Sequence, residues 1–190
     1  MKSNTTALLV MDMQMGILGR LPQQGAEIIK KATDAIKAAR ERNILVIFVR
    51  VGFQKGLPEI NAANKSFYSI KERLKGTDFE AFMQISPALI TDDDIIVNKK
   101  RYSAFAGSDL EMILRAQNIS HLVLSGISTS GVVLSTLREA FDKDYQLTVL
   151  SDACADSDEE IHRFLIEKLF PKQAEVMTID EWKTKGLSEG

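Results

Sequence analysis

Three polar parts of this chain each follow a short apolar run and could act on a bound molecule. Asp12 and Lys99 each follow such a run, and a turn of small residues at 126–131 follows a third. A carboxylate and an ammonium a few ångströms apart in a partly dry crevice perturb each other's pKa, which is one way to prepare an acid or a base. A turn of small residues lets a ligand approach the backbone, where the first amides of the next helix attract negative charge.

The elements that must position these groups alternate between strands and helices. Short apolar runs predict strands, and apolar residues three or four apart predict helices. The predicted strands are residues 7–11, 44–51, 94–98, 122–124, 146–150 and 174–178, and the predicted helices are 21–42, 108–117, 132–140, 157–169 and a short last helix around Trp182. Helical connections between buried strands favour right-handed crossovers and a parallel sheet covered on both faces. We therefore predict a three-layer α/β fold whose strand ends line one crevice.

Residues 52–86 break this regular alternation. Gly56, Pro58 and Gly76 interrupt the segment, which predicts a long loop with short helical pieces. A loop of that length in a compact domain is usually a lid or a binding element.

Composition narrows the classes of function. With 190 residues and 45% apolar content, the chain fits a single domain spanning residues 1–190. The net charge of −2 is spread along the sequence, so no basic surface indicates a nucleic-acid partner. No apolar run is long enough to cross a bilayer and the start lacks a signal-peptide core, so we expect a cytoplasmic protein without a membrane partner.

Spacing alone leaves two interpretations of Asp12 and Lys99 open. They form a catalytic pair, or Asp12 caps a turn while Lys99 is a solvated lysine at the end of a strand. Ion pairs at strand ends are often structural, so residue type and position do not choose between the two.

Sequence motifs in these same parts resemble those of the isochorismatase-like hydrolases, also called the cysteine hydrolase superfamily. Residues 8–14, LLVMDMQ, are similar to the D-x-Q opening of that family, and residues 98–105, NKKRYSAF, to its K-x-x-Y-S-A-F segment. Residues 126–129, GIST, resemble its G-x-x-T turn, and residues 150–155 its final strand end. The motifs occur in the family's order, and the resemblance covers nearly the whole chain.

The resemblance implies a specific fold and site. The fold is a six-stranded parallel sheet with helices on both faces, in a Rossmann-like topology. Asp12 would be the acid/base residue and Lys99 its charged partner. The peptide bond between Ile127 and Ser128 would be cis, so that the Ser128 amide, together with the Val132 amide, points at a substrate oxygen.

The chain departs from the family at the nucleophile. Amidase members carry G-x-x-T-x-x-C, and here Val132 occupies the cysteine position. Valine cannot form a thioester, so no acyl-enzyme route passes through this residue. The sole cysteine, Cys154, lies one strand over, where the family commonly has a small buried residue, and we interpret it as inert core.

Hydroxyl nucleophiles and metals are also disfavoured. We expect neither His121, at the far end of its strand, nor His162, on a later helix, to lie beside the hydroxyls of the 126–131 turn. Nicotinamidase members carry an aspartate and two histidines after the second strand, whereas residues 50–55 contain no histidine here. No dinucleotide-binding or Walker glycine pattern occurs either, so we predict neither a metal nor a cofactor.

The same family contains isochorismatases, which cleave a vinyl ether without the cysteine. The resemblance therefore implies a metal-independent hydrolase of a small carboxylated substrate. A protonated Asp12 would deliver a proton to the vinyl carbon, water would attack the oxocarbenium ion, and pyruvate would leave. Lys99 would neutralise a substrate carboxylate or orient Asp12. The predicted pocket residues are Gln14, Phe53, Tyr102, Phe105 and Thr129, of which the aromatic residues are core residues in the alternative interpretation.

Other functions remain open at this point. Val132 stands where isochorismatases usually have glycine, and residues 15–18, MGIL, replace the usual N-D-F continuation of the D-x-Q segment. A substrate other than isochorismate is therefore possible. The alternatives are a non-catalytic small-molecule-binding member of the family, and an amide hydrolase in which water replaces the thiolate. Family members generally form dimers or tetramers, so we expect a homo-oligomer.

Overall fold

The computed structural model describes residues 5–21, 24–76 and 78–185. Its strands form one six-stranded parallel sheet. The strands lie in the order β3-β2-β1-β4-β5-β6, and every pair of neighbours is parallel. They are β1 (Thr6–Met11), β2 (Leu45–Val51), β3 (Ile95–Lys99), β4 (His121–Ile127), β5 (Gln146–Ala155) and β6 (Glu175–Met177). The order reverses direction between β1 and β4, which is where a parallel sheet opens a crevice for ligands.

Helices connect the strands. The α-helices are α1 (Met15–Leu18), α2 (Gly25–Glu41), α3 (Lys65–Arg73), α4 (Phe79–Met83), α5 (Leu110–Ala116), α6 (Leu134–Asp142), α7 (Glu159–Phe164) and α8 (Ile179–Lys185). A π-helical turn, Thr129–Val133, precedes α6, and a second, Leu165–Leu169, follows α7. No helix in the described part of the chain is long and apolar enough to span a membrane.

The predicted three-layer arrangement is confirmed, because the central strands are buried on both faces. Side chains alternate along β1, so Leu9 and Met11 join the cluster that contains residues of α5 and α6. Leu8 and Val10 join the opposite cluster, with residues of α2 and α8. The sheet thus has a separate apolar core on each side and is held in place by both.

Several predicted boundaries differ from the structure, among them the end of β5 and the start of α2. Strand β5 continues to Ala155, five residues beyond the predicted end at 150, because Cys154 and Ala155 still pair with β4 after a shift in register. Polar Ser151 and Asp152 end the apolar run, so the pattern hides the last part of the strand. The helix predicted from residue 21 begins at Gly25, and residues 22–23 of that prediction lie outside the described chain.

The segment 52–86 contains two short helices, α3 and α4, as its interrupted pattern predicts. Each helix begins at a side-chain cap: the Asn64 carboxamide oxygen accepts from the Phe67 amide at 3.2 Å, and the Asp78 carboxylate accepts from the Ala81 amide at 3.1 Å. Phe67 packs with Val51, Phe53 and Ile60 in a small apolar cluster that is separate from the two cores. This cluster attaches the segment to the carboxyl end of β2.

Gly126 allows β1 and β4 to approach closely at the centre of the sheet. Its φ is 156°, and a Cβ there would lie 2.6 Å from the Met11 carbonyl oxygen and 2.9 Å from the Met11 Cβ. We expect Gly126→Ala to lower the free energy of unfolding by at least about 2 kcal/mol, because both the backbone angle and the overlap are unfavourable. Urea denaturation measures this change.

The control for that substitution is Gly25→Ala. A Cβ on Gly25 would meet its nearest neighbour, the Leu18 carbonyl oxygen, at 3.7 Å. We expect this variant to be as stable as the parent or slightly more so. Equal stability of the two alanine variants would contradict the role assigned to Gly126.

Candidate active site

A cavity of about 240 Å³ opens at the carboxyl ends of the central strands, beside the point where the strand order reverses. It is smaller than the pockets that hold drug-sized ligands, which favours a small metabolite. Seven of the ten residues predicted for the site line it: Asp12, Phe53, Lys99, Tyr102, Ile127, Ser128 and Val132. The structure thus brings together residues that are up to 120 positions apart in the sequence.

Asp12 and Lys99 form a buried pair on one side of this cavity. Asp12 directly follows β1, with a positive φ of 58° that aspartate tolerates better than most residues. Lys99 is the last residue of β3, and its Nζ lies 2.9 Å from the Asp12 Oδ2. Only 5% of Asp12 and 1% of Lys99 is exposed, so water screens the pair very little. The alternative of a solvated lysine at the strand end is wrong for this structure.

The second carboxyl oxygen of Asp12 has no hydrogen-bond partner among the residues that the structure describes. This oxygen, Oδ1, is also buried. A buried polar atom without a partner is costly, so such an atom beside a cavity is suited to a ligand or a water molecule. The Lys99 ammonium, by contrast, also donates to the Arg101 carbonyl oxygen at 2.9 Å.

Burial raises the pKa of Asp12 above its ordinary value, and the nearby Lys99 works against this effect without cancelling it. The sequence could not decide which of these influences is larger, because the depth of burial depends on the folded sheet. A raised pKa increases the protonated fraction of Asp12 at neutral pH. The carboxyl group can therefore donate a proton under conditions in which an exposed aspartate would be ionised.

The turn after β4 forms another part of the wall. The peptide bond between Ile127 and Ser128 is cis, as the family resemblance implies. The Ser128 hydroxyl accepts from the Gly131 amide at 3.1 Å and so caps the π-helical turn. Val132, only 1% exposed, also lines the cavity. Its correspondence to the cysteine of the amidases stays an implication of the resemblance. The role of the Ser128 and Val132 amides toward a substrate oxygen stays a prediction.

An aromatic wall faces the cavity from the segment 52–86 and the loop after β3. The ring centroids of Phe53 and Phe67 are 6.0 Å apart, and those of Phe67 and Tyr102 are 5.2 Å apart. The Tyr102 hydroxyl lies 2.7 Å from the Ser66 hydroxyl, so the wall is also fixed by a hydrogen bond. Such a surface suits a flat or apolar part of a ligand.

The structure places three predicted pocket residues, Gln14, Phe105 and Thr129, outside the lining of the cavity. The Gln14 carboxamide instead donates to the carbonyl oxygens of Val51 and Met83, at 3.0 Å each, and accepts from the Val51 amide at 2.9 Å. It joins the end of β2 to α4. Phe105 is buried in the core on one side of the sheet and packs near Tyr145.

We expected neither histidine to lie beside the hydroxyls of the 126–131 turn, but His162 lies beside Thr129. The Thr129 Oγ1 is 2.8 Å from the His162 Nδ1. Thr129 is fully buried, and neither residue lines the Asp12–Lys99 cavity, so the pair connects α7 to the turn. Ser130 is held similarly, since its amide and hydroxyl both donate to the Asp156 carboxylate, at 2.8 and 2.7 Å.

Cys154 lies in β5, where it pairs with Gly126 of β4, and it does not line the Asp12–Lys99 cavity. Burial raises the pKa of its thiol to about 12. A thiol with so high a pKa is almost never ionised at neutral pH, which supports the interpretation of Cys154 as inert core.

No sequence motif indicated several of the lining residues. Arg20 follows α1, Ile70 and Arg73 lie on α3, and Phe82 lies on α4. The interrupted pattern of residues 52–86 predicted a binding element but not which of its side chains would face the ligand. Among the described residues, no group of three or more His, Cys, Asp or Glu side chains could hold a metal ion.

The parallel α/β fold, the buried Asp–Lys pair and the G-x-x-T turn together define the class of protein. Residues 6–181 match the isochorismatase domain, and the chain belongs to the isochorismatase family of hydrolases. It is 34% identical over 184 residues to the uncharacterized isochorismatase family protein YecD of Escherichia coli O157:H7, an alignment that covers 95% of this chain and 96% of that protein.

Two further relatives place the chain within this family. An isochorismatase family protein from Burkholderia thailandensis has a similar structure, with a TM-score of 0.82 and 30% identity, over 95% of this chain and 94% of that one. The ureidoacrylate amidohydrolase RutB of Stutzerimonas stutzeri is 33% identical over 178 residues, which cover 80% of this chain and 71% of RutB.

A cysteine placed at position 132 tests whether this position faces the cavity. We expect the Val132→Cys variant to take up one equivalent of iodoacetamide more than the parent protein, because the new thiol would line the cavity. Intact-mass spectrometry measures the uptake. The matched control is Val133→Cys, since Val133 is fully buried in the apolar core and does not line the cavity. Equal labelling of both variants would contradict this placement.

Proposed function

We propose that this protein is a metal-independent hydrolase of a small carboxylated substrate, which cleaves a vinyl ether with Asp12 as the acid and without a cysteine nucleophile. The observation that carries this proposal is the state of Asp12: its carboxyl group is buried beside a small cavity, burial raises its pKa, and its Oδ1 has no hydrogen-bond partner among the described residues. By the family resemblance, Val132 stands where amidases carry the nucleophilic cysteine, which leaves the acid as the reactive side chain.

The chemistry begins with proton transfer from Asp12 to the terminal vinyl carbon of the substrate. The carbon–carbon double bond supplies the electron pair, and the positive charge is shared with the ether oxygen as an oxocarbenium ion. Water adds to the cationic carbon and returns a proton to Asp12. The bond between the hemiketal carbon and the ether oxygen then breaks as Asp12 gives a proton to that oxygen and the hemiketal hydroxyl loses its own proton to water, which releases pyruvate and an alcohol.

Lys99 contributes most while the proton is being transferred. A neutral Asp12 carboxyl becomes a carboxylate in this step, and the ammonium 2.9 Å away stabilises the negative charge as it develops. Lys99 also holds Oδ2, which leaves Oδ1 directed to the substrate. The same ion pair thus opposes protonation of Asp12 in the resting protein and favours the loss of its proton in the transition state.

The second candidate is an amide hydrolase in which a water molecule replaces the thiolate. The relative RutB, named as a ureidoacrylate amidohydrolase, favours this alternative. Asp12 would then act as an ionised base that activates the water, so the two candidates need opposite protonation states of the same carboxyl group.

Release of pyruvate from isochorismate tests the leading proposal. We expect turnover in the parent protein, and a loss of at least about 100-fold in kcat for Asp12→Asn and for Lys99→Ala, because proton donation and charge stabilisation are both removed. Coupling to lactate dehydrogenase measures the pyruvate. The control is Lys100→Ala, whose amine lies 3.6 Å from Glu59 and does not line the cavity. Turnover that survives Asp12→Asn would exclude Asp12 as the acid.

The pH dependence distinguishes the two chemistries. Because only a protonated acid can donate, we expect kcat for vinyl-ether cleavage to be highest at low pH and to fall as the pH rises through the pKa of Asp12, which burial places above 3.8. Steady-state kinetics between pH 4 and 9 would follow this fall. A rate that rises with pH instead would indicate a base, as in amide hydrolysis. Tight binding of a small acid with no turnover of either kind would indicate a non-catalytic member of the family.

A further inference from the structure

Two arginines, Arg20 and Arg73, line the same cavity from distant parts of the chain. Arg20 follows α1, and Arg73 is the last residue of α3. Both side chains are exposed, whereas Asp12 and Lys99 are buried, so the arginines lie at the mouth of the cavity and the ion pair lies at its base. Their charges therefore meet a ligand before it reaches Asp12.

Neither arginine is neutralised by the protein. No carboxylate in the described residues lies within 4.0 Å of either guanidinium group. The Arg73 Nε donates to the Ser69 carbonyl oxygen at 3.3 Å, and the Arg20 guanidinium lies over the Phe82 ring, 5.7 Å from its centroid. These contacts orient the two groups and leave most of their N–H donors available.

The two guanidinium groups carry like charges at the same cavity. Partial burial and the charge of Arg73 both lower the pKa of Arg20, which nevertheless stays charged at neutral pH. Like charges held near each other repel, and an anion between them would relieve this repulsion.

Positive side chains outnumber negative ones around the cavity. Its charged lining residues are Arg20, Arg73, Lys99 and a single acid, Asp12. The net charge of the lining is +2 with Asp12 ionised and +3 with Asp12 protonated, although the whole chain carries −2. A positive cavity in a mildly acidic protein concentrates small anions.

We propose that Arg20 and Arg73 form a carboxylate-binding subsite at the mouth of the cavity, so that the substrate is a dicarboxylate. One carboxylate binds between the two guanidinium groups, and the second lies deeper, toward Lys99. The flat, apolar body between them packs on the wall formed by Phe53 and Phe67. Arginine suits this role because its planar fork can form two parallel hydrogen bonds to one carboxylate.

This inference rests on the proposed function and names the residues that select a substrate with two carboxylates. Binding without turnover tests it. The probes are isophthalate, a flat dicarboxylate, and benzoate, the same ring with one carboxylate. We expect isophthalate to bind the parent protein at least about tenfold more tightly than benzoate in isothermal titration calorimetry, because it engages both charged ends of the cavity.

Substitutions then locate the subsite. Arg20→Gln and Arg73→Gln should each weaken isophthalate binding about tenfold, and the double variant should bind both probes equally. Arg73→Lys should restore only part of the loss, since it keeps the charge but not the fork. The control Lys71→Gln removes a charge from the same helix, where the Lys71 Nζ donates to the Leu57 carbonyl oxygen and does not line this cavity.

Results that contradict the subsite differ from results that contradict the proposed chemistry. The subsite is wrong if isophthalate does not bind, if it binds no more tightly than benzoate, or if Lys71→Gln weakens binding as much as Arg73→Gln. Isophthalate binding that depends on both arginines and survives Asp12→Asn supports the subsite, even if no vinyl ether is cleaved. Pyruvate release with a KM for isochorismate that is unchanged in both arginine variants would support the proposed chemistry and overturn the subsite.

Discussion

The contact between Asp12 and Lys99 is the interaction on which the rest of the site depends. Removing a carboxyl and an ammonium group from water is costly, and the cost is offset only when the two groups meet in good geometry. Asp12 follows β1 and Lys99 ends β3, so the contact passes the end of β2, which lies between them. The register that pairs Met11 with Val49, and Val51 with Lys99, brings the three strand ends to the same level. The chemistry of the site therefore rests on the pairing of the sheet.

Much of this arrangement could be predicted because it follows from strand ends. In a parallel sheet all strands end at the same edge, so residues that directly follow apolar runs, such as Asp12, Lys99 and Ser128, must lie close together. The side chains that complete the cavity could not be predicted in the same way. Phe67, Arg20 and Arg73 reach it only because non-periodic parts of the chain fold back over the strand ends, and no local pattern specifies where those parts lie.

Two residues predicted for the pocket lie outside the lining of the cavity for a shared physical reason. Gln14 and Thr129 belong to sequence motifs near the site, and polar residues in such motifs suggest contact with a ligand. Both instead satisfy buried polar groups of the protein, Gln14 at Val51 and Met83, and Thr129 at His162. A fold that buries an ion pair also has to hydrogen-bond the polar groups around it, and residue type alone does not distinguish that support from contact with a substrate.

The hydrogen bonds that Gln14 makes to Val51 and Met83 affect how a ligand could enter the cavity. The segment that carries Phe53 and Phe67 is held at one end where the Gly52 amide donates to the Lys99 carbonyl oxygen at 3.1 Å, and at the other where Gln14 donates to the Met83 carbonyl oxygen. A movement of α3 between these two anchors would break the hydrogen bond between Ser66 and Tyr102 and widen the entrance. The strands, and the acid they position, would stay in place. The part of the fold that could admit a ligand is thus separate from the part that positions the acid.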